Sequence, residues 1–198
     1  MDLNDIIVEL FKHGMIKFGE FTLTSGKKSP YYIDLRILPS YVDLYNKLMS
    51  ILVEYIRELN ILFDMVAGIE TAGIVHATYI GCLLNKPIAY VRKKRKEHGT
   101  QRLVEGIVNN KTILLIDDVA TTGSSLEYGI TILRQHGAFV RDVIVIVDRL
   151  EGARDRLDKL GVRLHSLMDA YKIINVLLEN NLIDRKVYDT VINYINTT

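Results

Sequence analysis

The chain has 198 residues, 48% of them hydrophobic and 25% charged, with 25 Lys and Arg balanced by 24 Asp and Glu. That length suits one domain whose core needs no covalent staples. Cys82 is the only cysteine, which excludes an intramolecular disulfide and a multi-cysteine zinc site and fits a reducing compartment.

The acidic opening Met1-Asp2-Leu3-Asn4-Asp5 lacks the basic start of a secretory signal, so a cytoplasmic protein is expected. An amphipathic helix is predicted over 4–13, with Ile6, Ile7, Leu10 and Phe11 on one face and Gly14 at C′. Residues 16–36 alternate apolar and polar around Gly19 and Ser25-Gly26, which predicts two or three short strands of hairpin type. From Tyr41 a helical pattern to Leu59 leads into the apolar run 63–69 and a second helix over 73–84. The uncharged stretch 71–85 contains His76, Thr78 and Tyr79 and falls short of the ~20 apolar residues of a membrane span, so no membrane partner is expected.

Further strands are predicted over 88–91, 112–116, 140–147 and 163–167, alternating with helices over 124–136, 152–160 and 169–179. The runs Ile113-Leu114-Leu115-Ile116 and Val143-Ile144-Val145-Ile146-Val147 are continuous rather than alternating, as in central strands covered on both faces. The expected architecture is one α/β domain, a parallel sheet flanked by helices, with an N-terminal appendage over about 1–40.

Ligands of such sheets bind beyond the carboxyl ends of the strands. Three segments there stand out: 68–73, 117–125 and Asp148-Arg149. Asp117 and Asp118 repel each other unless cations or hydroxyl donors meet them. The following Val119-Ala120-Thr121-Thr122-Gly123-Ser124-Ser125 opens a helix whose first N–H groups, with four hydroxyls, suit a phosphate. Between these segments, Arg92, Lys93, Lys94, Arg95, Lys96 and Arg102 face only Glu97, which concentrates a charge of +5 there and leaves −4 elsewhere. Neither G-x-x-x-x-G-K-[ST], nor G-x-G-x-x-G, nor H-E-x-x-H occurs, so ATP hydrolysis, dinucleotide chemistry and the common zinc sites recede. His13, His76, His136 and His165 lack a paired motif and are read as structural, and Cys82 as packing.

The segment 113–125 resembles the phosphoribosyl pyrophosphate motif of type I phosphoribosyltransferases. Two further segments, 21–32 (Phe-Thr-Leu-Thr-Ser-Gly-Lys-Lys-Ser-Pro-Tyr-Tyr) and 90–99, together with Asp148-Arg149, resemble the orotate phosphoribosyltransferase family. The resemblance implies a type I phosphoribosyltransferase fold over 1–198 with a small N-terminal hood. The activity it implies is transfer of ribose 5-phosphate from 5-phosphoribosyl 1-pyrophosphate to orotate, with Mg²⁺ as cofactor, in pyrimidine nucleotide synthesis. Asp117 and Asp118 would hold ribose hydroxyls and the metal, and Val119, Ala120, Thr121, Thr122, Gly123, Ser124 and Ser125 the phosphate. Arg92, Lys93, Lys96 and His98 would lie on a loop that closes over pyrophosphate, reaching the neighbouring site of a homodimer. Lys96, His98 and Asp118 are the catalytic candidates. Arg149, Thr121, Tyr32 and Ile33 would contact orotate.

Two positions depart from the family pattern. Thr24 and Ala72 stand where many relatives carry lysine, so the charge that meets pyrophosphate is expected from the Arg92–His98 loop or from Lys27 and Lys28. An enzyme acting on a purine or uracil would share the 117–125 loop, but Arg149 and the 21–32 segment argue against it. A non-catalytic sensor that binds nucleic acid is the other class. No helix-turn-helix or aromatic-basic surface is evident, so no nucleic-acid partner is expected.

Overall fold

The protein is described by a computed structural model that covers residues 2–22, 26–94 and 102–197. Thr24, Lys96 and His98 lie outside the described residues. The first helix, α1 (Leu3–Lys12), is set by a reciprocal cap in which the Asp2 carboxylate accepts from the Asp5 N–H and Asp5 accepts from the Asp2 N–H. It ends before Gly14, which takes a left-handed φ of +71°. Strands β1 (Ile16–Thr22) and β2 (Lys28–Ile33) then pair antiparallel as a small separate sheet.

After a 3₁₀ turn, α2 (Val42–Glu58) leads to β3 (Met65–Ile69), α3 (Ala72–Leu84), β4 (Ile88–Val91) and the two-residue β5 (Val104–Glu105). There follow β6 (Thr112–Ala120), α4 (Ser124–Gln135), β7 (Phe139–Asp148), α5 (Ala153–Asp158), β8 (Arg163–Asp169), α6 (Ala170–Glu179) and α7 (Arg185–Asn196). The main sheet runs β5-β4-β3-β6-β7-β8, parallel throughout except at β5.

The continuous apolar runs divide their side chains between two cores. Leu114, Ile116, Ile144 and Ile146 join α1, α2 and α6 on one face, while Ile113, Leu115, Val143 and Val145 join Leu126, Ile130, Leu133 and Leu157 of α4 and α5 on the other. Each such side chain, removed from water, contributes about 1.5–3 kcal/mol against the unfolded chain.

The structure departs from the sequence expectations at several points. Strand β6 runs on through the acidic pair to Ala120 and β7 to Asp148, because their pairing continues through Asp117 with Val145, Val119 with Val147 and Ala120 with Asp148. The carboxylates therefore sit within the last residues of the strand rather than just past it. Helix α7 was not expected at all. It is capped by the Asp184 carboxylate, which accepts from the Val187 N–H, and it buries Val191 and Ile195. Cys82 is exposed rather than packed.

His76, on the inward face of α3, is almost fully buried, and its Nδ1 lies 3.1 Å from the Tyr45 hydroxyl. Burial holds its pKa below the ordinary value and outweighs the opposite pull of Asp118. A base depressed in the folded state contributes stability that is complete above its unfolded value of about 6.5 and is lost as pH falls from there toward the folded value. The buried Asp117 carboxyl, raised by burial and by Asp118, acts with the opposite sign: its contribution is lost as pH rises through its folded value. With no substrate or divalent cation present, the melting temperature should fall between pH 7 and 5 more steeply for the wild type than for His76→Gln. Equal slopes in thermal unfolding would show that His76 does not govern the acid limb.

Candidate active site

The ends of β6 and β7, the start of α4 and the hood strand β2 enclose a cavity of about 560 Å³. Its floor is the loop that joins β6 to α4. Gly123 initiates α4 at φ +76°, and no side chain caps that helix, so its first-turn N–H groups are left for a ligand. Thr121, Thr122, Ser124 and Ser125 line the same wall, as do Val119 and Ala120. The loop is held from behind, because a β-carbon on Gly123 would lie 3.0 Å from the Ala153 Cα of α5, and the Arg149 N–H donates to the Ala120 carbonyl at 2.9 Å. The result is a preformed set of backbone and hydroxyl donors whose chemistry suits an anion.

Successive residues of a strand point to opposite faces, and the acidic pair divides accordingly. Asp118 lines the cavity. Asp117 is only 8% exposed and packs where a β-carbon on Gly73 would lie 3.0 Å from its Oδ1. Burial, reinforced by the Asp118 charge, holds the Asp117 carboxyl well above its usual range. Among the described residues no three His, Cys, Asp or Glu side chains stand close enough to hold a metal by themselves. A divalent cation here needs oxygens from a bound phosphate as well, which is how Mg²⁺ is ordinarily held, so Asp118 fits a cation that arrives with its substrate while Asp117 lies behind it off the cavity wall.

The hood supplies Tyr32 and Ile33, both on the cavity wall, and two residues that the linear reading missed, Asp34 and Arg36. Arg36 donates from Nε and Nη2 to the two Asp34 oxygens at 2.7 and 2.6 Å, and this guanidinium holds the Asp34 carboxyl below its usual range. Lys93 also lines the cavity, with its backbone N–H donating to Glu70 at 2.8 Å. Arg92 does not line it, and its Nη1 faces Glu105 at 3.7 Å. Lys28 opens instead onto a separate groove of about 830 Å³ between the hood hairpin and α7. That groove is larger but mainly apolar, and the acidic pair and the hydroxyl loop are not part of it. Within the described residues, then, the cations at the cavity are Lys93, Arg36 and Arg149. Ala72 begins α3 beside the turn after β3, and Thr24 falls outside the described residues.

Arg149 follows β7 and is 3% exposed. It pairs with Glu151 away from solvent, with Nη2 2.7 Å from Oε1. The guanidinium also lies over the Tyr31 ring, 4.3 Å from its centroid. Arg149 is thus both a member of a buried cluster and part of the cavity wall.

A family model described as "Phosphoribosyl transferase domain" matches residues 40–176. A protein named orotate phosphoribosyltransferase from Staphylothermus marinus is 54% identical over 194 residues, covering 98% of this chain and 95% of that one. Among solved structures, orotate phosphoribosyltransferase from Aeropyrum pernix superposes with a TM-score of 0.76 at 35% identity, over 90% of this chain and 99% of that one. UMP synthase from Leishmania donovani gives a TM-score of 0.85 at 29% identity over 98% of this chain, which spans 42% of that longer protein. A hydroxyl-rich loop opening a helix beside an acidic strand end, matched in sequence and in fold, places the chain in the phosphoribosyl transferase family, among the orotate phosphoribosyltransferases.

Proposed function

We propose that the chain transfers the ribose 5-phosphate group of 5-phosphoribosyl 1-pyrophosphate to orotate, giving orotidine 5′-monophosphate and pyrophosphate, as a cytoplasmic enzyme of pyrimidine nucleotide synthesis. The observation that carries this reading is the convergence on one cavity of the uncapped α4 N-terminus, Asp118 and the Arg149 guanidinium. The 5′-phosphate occupies the Thr121–Ser125 loop, where N–H groups and hydroxyls meet it, and Asp118 accepts from ribose hydroxyls. Orotate lies between Tyr32, Ile33 and Thr121 with its carboxylate toward the Arg149 guanidinium, a charge-assisted pairing.

The orotate ring nitrogen attacks the anomeric carbon from the face opposite pyrophosphate and gives up its N–H proton to solvent. As that bond forms, the bond from carbon to the pyrophosphate oxygen breaks through a cationic, oxocarbenium-like transition state. Asp118, backed by Asp117, would hold Mg²⁺, which when bound would supply neutralisation of the leaving group's charge. Lys93, with Lys96 and His98 of the following segment, meets the remaining negative charge, and Lys96 or His98 delivers a proton to the departing oxygen. The work of the site is positioning, charge stabilisation and exclusion of water.

In this reading residues 1–40 form a hood on a single phosphoribosyltransferase unit, and two copies associate so that the 92–98 loop serves the neighbouring site. The outward face of α3 supports the association, since Val75 and Leu83 are exposed beside Cys82. No described helix is long and apolar enough to cross a membrane. Orotate absorbance followed with 5-phosphoribosyl 1-pyrophosphate and Mg²⁺ is expected to fall only when all three are present, with uracil, adenine and hypoxanthine left unconsumed. Turnover of one of those bases in place of orotate would overturn the base assignment while keeping the phosphate site.

A further inference from the structure

The guanidinium of Arg149 is held on several sides by residues far apart in the chain. Glu151 Oε1 accepts from Nε at 2.8 Å, and Ser29 Oγ of the hood accepts from Nη2 at 2.9 Å. Tyr31 lies under the guanidinium face, and its hydroxyl donates to the Arg149 carbonyl at 3.4 Å. The far carboxylate oxygen of Glu151 accepts from the Tyr194 hydroxyl of α7 at 3.3 Å, and the Tyr194 and Tyr31 rings meet edge to face at 6.1 Å. The Arg149 and Glu151 side chains are 3% and 1% exposed. These bonds occupy Nε and Nη2 and leave Nη1 uncommitted among the described residues.

We propose that Glu151 and Tyr194 are positioning residues that fix the Arg149 guanidinium for the carboxylate of orotate, and that the C-terminal helix α7 thereby sets affinity for the base. The proposal rests on the functional reading above. An arginine side chain is long and rotamer-rich, and freezing it before the substrate arrives removes that entropic cost from binding. Glu151 neutralises the buried charge without using the Nη1 edge, and Tyr194 holds the carboxylate that holds the arginine. The cluster also joins hood, sheet end and α7, so that parts of the chain distant in sequence act on one substrate group.

Two variants keep the buried charges and disturb only their placement. Glu151→Asp withdraws the carboxylate by one methylene, and Tyr194→Phe removes its hydroxyl partner. Steady-state kinetics should show the KM for orotate raised about tenfold in the first and roughly threefold to tenfold in the second, with the KM for 5-phosphoribosyl 1-pyrophosphate near the wild-type value. In an Arg149→Ala background, Tyr194→Phe should add nothing further to the orotate effect, because its route of action is gone. A purely structural tyrosine would instead lower thermal stability, leave the orotate KM in place, or act equally with and without Arg149, and any of these overturns the proposal. A wild-type protein that turns over another base but not orotate overturns the functional reading and this inference with it, whereas variants that match an orotate-active wild type overturn this inference alone.

Discussion

Arg149→Ala is expected to cost the protein about 3–5 kcal/mol of stability and to reduce kcat/KM for orotate on the order of 100-fold, two losses with separate origins. The first comes from Glu151. Its side chain is 1% exposed, and with Arg149 gone the carboxylate keeps the Tyr194 hydroxyl but no cation to offset its desolvation. The second comes from the cavity, where no other described cation stands in the same place against the base. Arg36 is already engaged with Asp34 on the hood, and Lys93 sits toward the α3 side beside Glu70.

The double variant Arg149→Ala/Glu151→Ala separates these effects. Removing the uncompensated carboxylate as well relieves its desolvation, so part of the lost unfolding free energy should return, less the cost of the cavity two alanines leave, while orotate turnover stays low. Urea unfolding measures the first quantity and initial rates the second. If Arg149→Ala unfolds like the wild type, the pair does not carry the burial cost assigned to it. If the double variant recovers turnover, Arg149 does not receive the base.

The central sheet was legible because its strands are long apolar runs, and Ile113 to Ile116 and Val143 to Val147 can satisfy two cores only in the middle of a covered sheet. The hydroxyl loop stood out for a different reason, since adjacent carboxylates followed by hydroxyls and a glycine have few uses that do not involve an anion. Where the strands ended was not legible. Asp117 and Asp118 read as the end of a strand bounded at Ile116, yet backbone pairing with β7 carries the strand past them to Ala120, and pairing with a distant segment leaves no local mark.

Helix α7 did leave one. Val187, Val191 and Ile195 recur at a spacing of four after a capping Asp184, but the polar residues between them dilute the run. The Arg149 cluster left none, because Ser29, Arg149 and Tyr194 meet only when the hood and the C-terminal helix fold onto the same strand end. Arg36 was hidden in the same way: a single cation in an apolar stretch gains meaning only when the hood turns it over the cavity.

Gly68→Ala should be as damaging to the fold as any single methyl group that can be added to the site. Gly68 lies in β3, paired with Tyr90 on one side and Ile116 on the other, and both pairings fix its backbone. A β-carbon there would lie 2.2 Å from the Gly73 carbonyl oxygen, 2.4 Å from the Gly73 carbonyl carbon and 2.6 Å from the Ile74 nitrogen. All three are main-chain atoms, so no side chain can swing aside and the first turn of α3 must lift from the sheet. Gly73 is itself pressed onto β6, where its own β-carbon would sit 2.7 Å from the Ile116 carbonyl oxygen. The strand end, the 70–73 turn and the buried face of Asp117 are therefore held in register by two missing side chains. Overpacking of this kind costs about 1–3 kcal/mol, and here the upper end is expected, a fall of roughly 6–12 °C in melting temperature for a domain of this size. Gly161→Ala makes the comparison, because that position meets nothing within 4 Å and carries only the strain of a φ of +66°. If the two variants melted together, the close contacts at Gly68 would cost no more than the left-handed strain at Gly161. If Gly68→Ala melts lower and also raises the KM for 5-phosphoribosyl 1-pyrophosphate, the close approach of β3 and α3 serves the site as well as the fold, since lifting α3 moves the 70–73 turn and uncovers Asp117 behind Asp118.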